Sequence, residues 1–331
     1  MKEKKFNWSA YSKPIILVAF IVVLTILRPK TFPTLSNISN VLWSVSVIGI
    51  MVCGTIYVFL LGGIDLSIET LCGLCAVTIV EVIHACGDTN GGVFLGICAA
   101  LAVGLGAGLI HGLIITRFKV PAFLVTFATQ SVFRGISMII TDNKIVSCTS
   151  PKSFTAIGSL KILKLPLPIY FMILMAVLSW FILRKTVFGR QVYAVGGNAQ
   201  AAEISGINVR KNTVICYMLS GLTTAIGGIV LASMTQQAMA ATGSGYTNDV
   251  ITAGVIGGVS LLGGEGTIPG AMFGAILIGL LNNGLNLMSV PSTQSGLVKG
   301  IVIIVAVAFD AMQHADQSRK KAKKIVKKKE A

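Results

Sequence analysis

Asp65, Ser67 and Glu69 lie within GGIDLSIETLCG (residues 62–73), directly after an apolar run from Val41 to Leu61. A carboxylate inside hydrocarbon costs at least about 2.5–3.5 kcal/mol on insertion scales, so Asp65 is expected to face protein interior, water or a partner charge. Glu69, one helical turn on, is expected to share that environment. Gly62-Gly63 before it and Asp65/Ser67 after it read as a helix break and a helix start. Asp65 then has two roles open to it, a cap on free helix N–H groups or a direct contact for a solute, and broken helices that line transport paths combine the two. Arg134, inside another apolar run, is the expected ion-pair partner of Asp65 or Glu69.

A second polar group lies in residues 245–288, GYTNDVITAGVIGGVSLLGGEGTIPGAMFGAILIGLLNNGLNLM. Asn282 and Asn286, four apart, present amides on one helix face with Asn283 beside them. Two readings stand: hydrogen bonds between helices, or a polar wall for a hydroxylated solute, which needs donors and acceptors together. The run Val250 to Leu262 is too short to cross a membrane and ends in GGEGTIPG, so it reads as a half-helix or re-entrant segment.

The elements that carry these residues follow from composition. Hydrophobic residues make up 54% of the 331 and charged residues 12%, with a mean hydropathy of +0.82, so the solvent is a bilayer. Spans of about 20 residues are expected near Tyr11–Leu27, Val41–Leu61, Leu66–Ala85, Val93–Ile115, Val120–Ile140, Leu167–Leu183, Val214–Ala232, Val250–Leu262, Ile268–Met288 and Leu297–Phe309. The runs are too long for barrel strands. The expected fold is an all-α polytopic membrane protein of about ten helices, short or broken ones included. The division is a basic N-terminus (1–13), one membrane domain (14–312) with a loop at about 185–212, and a basic tail (313–331).

The net charge of +15 is concentrated at the two ends and in the loops around Arg117/Lys119 and Arg184–Lys211. With ten spans these all fall on one side, which places both termini in the cytoplasm by the positive-inside rule and the chain in the cell membrane. The loop Thr141–Pro166 runs against this pattern, because its lysines 144, 152, 161 and 164 then face outward. No aromatic residues interleave with the basic tail, which argues against nucleic acid and for anionic lipid headgroups as its partner. Leu27 is followed by Arg28-Pro29-Lys30 without a small-residue cleavage site, so the first run is a membrane anchor.

Catalytic signatures are missing. GxxxxGK[ST], GxSxG and HExxH do not occur, and His84, His111 and His314 are far apart in sequence, so neither a phosphate cradle nor a nucleophile or metalloprotease motif is legible. The seven cysteines read as small apolar residues, with a Cys86–Cys148 disulfide as a minor alternative. Glycines at 104, 108, 112 and at 270, 274 make smooth helix faces for close packing.

Residues 188–212, FGRQVYAVGGNAQAAEISGINVRKN, hold a short helix-prone piece, Ala199–Ile204, closed by Gly206. It is either an ordinary surface helix or a docking device. Bulky replacements of Ala202 and Gly206 are expected to break docking without unfolding the chain.

GGIDLS (62–67), VPAFLVTFATQSVFRGIS (120–137), GRQVYAVGGNAQAAEISGINV (189–209) and GGVSLLGGEGTIPGAMFGAILIGLLNNGLNLM (257–288) together resemble the permease subunits of ribose-type ABC importers. The resemblance implies a subunit of about ten helices that pairs with a second permease chain, sits on cytoplasmic ATP-binding subunits and receives solute from an extracytoplasmic solute-binding protein. ATP and Mg²⁺ would be held by the partner ATPase, with no cofactor on this chain. Gln200, Ala201, Ala202 and Gly206 match the EAA-x3-G loop that couples such permeases to their ATPases, with Gln200 where Glu is usual. Ile68-Glu69-Thr70 and Tyr246–Ala253 also depart from the family's usual GGIDLS continuation and its YELDAIAA stretch.

The reading is therefore the transmembrane subunit of an ATP-driven importer for a monosaccharide or similar small hydroxylated solute, with Asp65, Ser67, Glu69, Arg134, Asn282 and Asn286 as path residues. The rival is an ion-coupled secondary transporter whose ion site would gather Asp65, Glu69, Glu81, His84 and Arg134.

Overall fold

A computed structural model describes residues 8–291, 294–301 and 304. The stretch 1–7, the tail 313–331 and most of the last expected span lie outside the described residues, and with them the charges assigned to both ends.

The chain runs α1 (Trp8–Leu27), α2 (Leu35–Leu60), α3 (Ile68–Ala85), α4 (Asn90–Phe118) and α5 (Ala122–Thr141). It continues through β1 (Val146–Ser147), α6 (Lys152–Ser159), β2 (Lys161–Ile162) and β3 (Leu165–Pro166) to α7 (Leu167–Lys185), α8 (Val187–Gly197) and α9 (Ala199–Ile204). It closes with α10 (Val209–Thr235), β4 (Gln237–Ala238), α11 (Tyr246–Ile256) and α12 (Ile268–Leu287), and residues 294–301 are helical again. The two-residue strands pair β1 with β4 and β2 with β3. The fold is all-α.

Among the described residues, seven helices, α2, α3, α4, α5, α7, α10 and α12, are long and apolar enough to cross a bilayer. Three of them start on a threonine cap: Thr34, Thr89 and Thr267 each accept the backbone N–H of the third residue of α2, α4 and α12, at 3.1–3.2 Å. The stretch expected at Val250–Leu262 is instead an eleven-residue helix, α11, about 16 Å long and so roughly half a crossing. Residues 257–267 then turn back to α12.

α2 is apolar all round and lies at the centre, where every residue from Val45 to Leu60 is buried. α10, α12, α7 and α11 pack around it, while α10 also crosses α4. At that crossing glycine is required: a Cβ on Gly104 would stand 2.5 Å from the Gly221 carbonyl oxygen, so the backbones touch as in other small-residue crossings. α5 and α7 instead turn Phe123, Phe127, Ile139, Ile173, Val177 and Phe181 outward, the pattern of helices facing lipid or another chain.

The bundle has two distinct ends. At one, α6 is tied to the rest by Trp43 Nε1 donating to the Gly158 carbonyl at 2.8 Å and by Ser153 bonding Asn90 at 2.7 Å. At the other, the Gly264 N–H donates to the Leu60 carbonyl at 2.9 Å, bringing the end of α2, the 257–267 turn and α8 together. All seven cysteines are free, Cys86 and Cys148 included.

Candidate functional site

The half-helix α11 organises the polar interior. Its N-cap, Gly245, has φ +87°, a left-handed conformation that glycine adopts without steric cost. The Gly245 N–H donates to Glu69 Oε2 at 2.9 Å, and Gln130 Nε2 of α5 donates to Glu69 Oε1 at 3.1 Å. A carboxylate at this position is favoured by the positive end of the α11 dipole. Thr247 Oγ1 accepts the Glu69 N–H at 3.1 Å, so the starts of α3 and α11 are laced to each other.

One turn into α11, Asp249 is 3% exposed. Lys299 Nζ lies 3.1 Å from each of its carboxylate oxygens, and Asn282 Nδ2 donates to Oδ2 at 3.1 Å. Taking the Asp249 charge out of water is costly, and the pair holds because attraction and hydrogen bonding act together. Beside it lies a cavity of about 260 Å³ whose polar lining includes Ser44, Ser244, Asp249, Asn282, Asn286, Ser295 and Lys299, with Tyr246 at its wall. Asn282 lines the cavity, while its Oδ1 is buried and has no hydrogen-bond partner among the described residues. The site offers a carboxylate, an ammonium, amides and hydroxyls within one small space.

The path residues expected from sequence separate into three places. Asn282 and Asn286 both line the cavity, while Asn283 points elsewhere and exchanges amide hydrogen bonds with Asn37. Asp65 is 1% exposed and does not line it. Its Oδ1 accepts from the Ser67 N–H at 3.0 Å and the Ser67 hydroxyl at 2.7 Å, and its Oδ2 accepts from the Ser220 hydroxyl at 2.9 Å. Asp65 thus closes the 61–67 turn and fixes it to α10 rather than capping several free N–H groups. The expectation that Glu69 shares its environment is corrected too. α3 begins only at Ile68, so the four-residue spacing does not run along a helix, and Glu69 faces α5 and α11 while Asp65 faces α10.

Arg134 also needs correction. It is exposed on α5 and makes no ion pair with Asp65 or Glu69 among the described residues. The buried stripe of α5 runs through Thr126, Phe133 and Ser137, and Arg134 lies off it. The ion pair that the bundle does contain, Asp249–Lys299, was missed. Its sequence signal was a lone lysine and a lone aspartate in two apolar segments 50 residues apart, each of which needs a partner.

Near Leu60, α9 forms as its residues dictate. Asn198 Oδ1 accepts the Ala201 N–H at 2.9 Å. At the other end Gly206, with φ +83°, lets its own N–H reach the Glu203 carbonyl and the Ile207 N–H reach the Ala202 carbonyl, both at 3.0 Å, closing the helix with a left-handed residue. Gln200, Ala201, Glu203 and Ile204 point outward, Ile204 with 89% of its surface exposed. Ala202 faces inward at 4%, so a bulky residue there would disturb the chain's own packing, contrary to the expectation from sequence.

Residues 37–307 match the family model described as the permease component of the branched-chain amino acid transport system. The ribose import permease protein of Bacillus subtilis (strain 168) is 40% identical over 300 residues, 90% of this chain and 92% of that protein. The ribose import permease protein of Escherichia coli (strain K12) is 36% identical over 92% of this chain and 94% of its own. The L-arabinose transport system permease protein of Escherichia coli (strain K12) is 33% identical over 96% and 94%. No solved structure matches. The chain belongs to this permease family, as the transmembrane subunit of a sugar ABC importer.

Proposed function

We propose that this chain carries a pentose or a similar small hydroxylated solute across the cell membrane, and that the cavity beside α11 is the solute's resting point on the way. The observation that supports this best is the convergence of Asp249, Asn282, Asn286, Ser44 and Ser244 on one cavity, a set of donors and acceptors suited to hydroxyl groups that each give and take a hydrogen bond. The relatives named for ribose and arabinose import support a pentose.

Energy comes from outside the chain in this reading. Cytoplasmic ATP-binding subunits hold ATP and Mg²⁺ and meet the outward face of α9, with Ile204 as the apolar anchor and Gln200 and Glu203 as its polar flank. A second permease chain covers the outward apolar face of α5, where Arg134 then finds water or a partner group. An extracytoplasmic solute-binding protein delivers the sugar to the end carrying α6. Both termini lie in the cytoplasm, where the basic tail meets anionic headgroups.

The test is uptake of labelled D-ribose and L-arabinose by proteoliposomes holding the permease, its ATPase and its binding protein. ATP-dependent accumulation that stops when the ATPase's nucleotide site is disabled is the expected result. Accumulation by the permease alone, driven by a sodium or proton gradient, overturns the proposal.

A further inference from the structure

We propose that Lys299 is a displaceable counter-ion: two adjacent hydroxyls of the solute take the place of its ammonium on the Asp249 carboxylate, and its release frees residues 294–301 from α11. The inference rests on the cavity being the solute's resting point and adds which groups select the solute and what its arrival changes.

The two partners are unequal. The Asp249 side chain is 4% exposed and that of Lys299 is 26% exposed, so the carboxylate is fixed in the wall while the ammonium borders open space. Asp249 is held from below by its own helix and from the side by the Asn282 amide at 3.1 Å, both of which stay in place if Lys299 leaves. Among the described residues Lys299 is the one cation lining the cavity, and the remaining ion pair, Asp142–Lys144, lies between side chains more than three-quarters exposed.

Lysine is suited to such a part. Its ammonium is a point charge on a flexible four-carbon stem, so it swings aside without backbone movement, whereas arginine locks onto a carboxylate through two parallel bonds. Hydroxyls on neighbouring carbons reach both oxygens of one carboxylate as a two-pronged donor. The Asn282 side chain, which lines the same cavity, meets a third hydroxyl. A neutral polyol replaces the ammonium's hydrogen bonds but not its charge, which leaves the Asn282 amide and the N-terminal end of α11 to stabilise the carboxylate, and a solute without paired donors leaves Asp249 to Lys299.

The consequence reaches beyond recognition. The pair ties the helical residues 294–301 to α11, and α11 in turn packs on α12 and α2. With the pair intact the terminal segment is latched; with solute bound the latch is open. Solute occupancy therefore becomes a mechanical state of the bundle.

The experiment measures equilibrium binding of tritiated D-ribose to the detergent-solubilised permease–ATPase complex without the binding protein, for the native chain, K299Q, K299R and D249N. K299Q is expected to bind severalfold more tightly, because the competitor is gone, while ATP-driven uptake falls because the latch cannot reset. K299R is expected to bind severalfold more weakly, and D249N to lose binding. The charge-swapped chain D249K/K299D is expected to assemble but not to bind.

Equal Kd values for the native chain and K299R, no saturable binding by the native complex, or native binding by the charge-swapped chain would each mean a fixed structural ion pair and overturn the proposal. Should K299Q fail to assemble, the K299R and swap arms decide. Failure of ATP-driven uptake by the native transporter would count against the importer reading instead, and is scored separately from these Kd values.

Discussion

The Tyr193 hydroxyl of α8 donates to the Gly266 carbonyl at 2.7 Å. This joins the segment that precedes α9 to the turn linking α11 with α12, and through α11 to the cavity at Asp249. Gly264 bonding Leu60 from the same turn at 2.9 Å adds the end of α2. A push on α9 from outside therefore has a contiguous route to the half-helix, made of one hydrogen bond, one tight turn and one eleven-residue rod.

Tyr193→Phe removes that hydroxyl and leaves the ring. The loss of one partly buried hydrogen bond costs about 0.5–1.5 kcal/mol, too little to unfold the bundle. ATPase activity of the assembled transporter is expected to persist while uptake per ATP drops severalfold. Equal ATPase and uptake losses would mean that the bond holds structure and carries no motion.

Ile204→Asp is expected to abolish copurification of the ATPase subunit at an unchanged melting temperature. Ile204 contributes no buried surface within its own chain, being 89% exposed, so the substitution takes nothing from the fold. Placed in an apolar interface, the new carboxylate loses its water without gaining a partner. A native yield of complex by pull-down would exclude α9 as the contact.

Asn286→Ala and Asn282→Ala separate the two cavity amides. The Asn286 side chain makes no hydrogen bond among the described residues and is exposed, so its loss weakens ribose binding about three- to tenfold, the worth of one hydrogen bond, and leaves stability unchanged. Asn282 also supports Asp249, so its loss lowers both binding and the melting temperature. Calorimetric melting beside the binding measurement distinguishes these outcomes.

What the sequence disclosed follows what it encodes locally. Run lengths and glycine breaks are local, and the crossing helices, a half-helix ahead of the GGEG break and the small helix closed by Gly206 were all legible, although the half-helix ends at Ile256 and not at Leu262. Which polar groups meet is not local. Asp65 and Glu69 have helical spacing, yet the helix starts between them; Asp249 and Lys299 have no spacing relationship at all. Arg134 looked like the cation an intramembrane carboxylate must have, but hydroxyls of Ser67 and Ser220 supply Asp65 instead. Ala202 matched a loop pattern, yet it is the α9 residue that packs inward, because pattern positions do not reveal which side of a six-residue helix faces its own chain.

The α4–α10 crossing predicts a stability effect remote from any site. A Cβ on Gly221 would collide with the backbone of Gly104 and Gly108, and neither helix has a flexible side chain there to yield. Gly221→Ala is expected to cost at least the about 1–3 kcal/mol of core overpacking, seen as a lower melting temperature and a lower membrane yield. Gly135→Ala, at a position with no neighbour within 4 Å, is the matched control and should leave both unchanged.

Cys148 gives a pH-dependent test of the segment after α5. Burial pushes its thiol up to about 11 from the usual 9.0, the nearby Asp88 pushes the same way, and a backbone hydrogen bond at Ser150 pulls back. The thiolate is the reactive form, so a membrane-impermeant maleimide should scarcely label Cys148 near pH 7.5, with labelling rising as pH climbs toward about 11. The raised value means the protonated thiol persists through the neutral range, and any stability it adds is present below the ordinary thiol pKa and lost only as pH passes the higher one. A variant keeping Cys148 as the sole cysteine isolates the signal by mass spectrometry. Rapid labelling at pH 7.5 would place this residue on an open surface, with β1 and β4 unpaired and α6 no longer covering the end of α10.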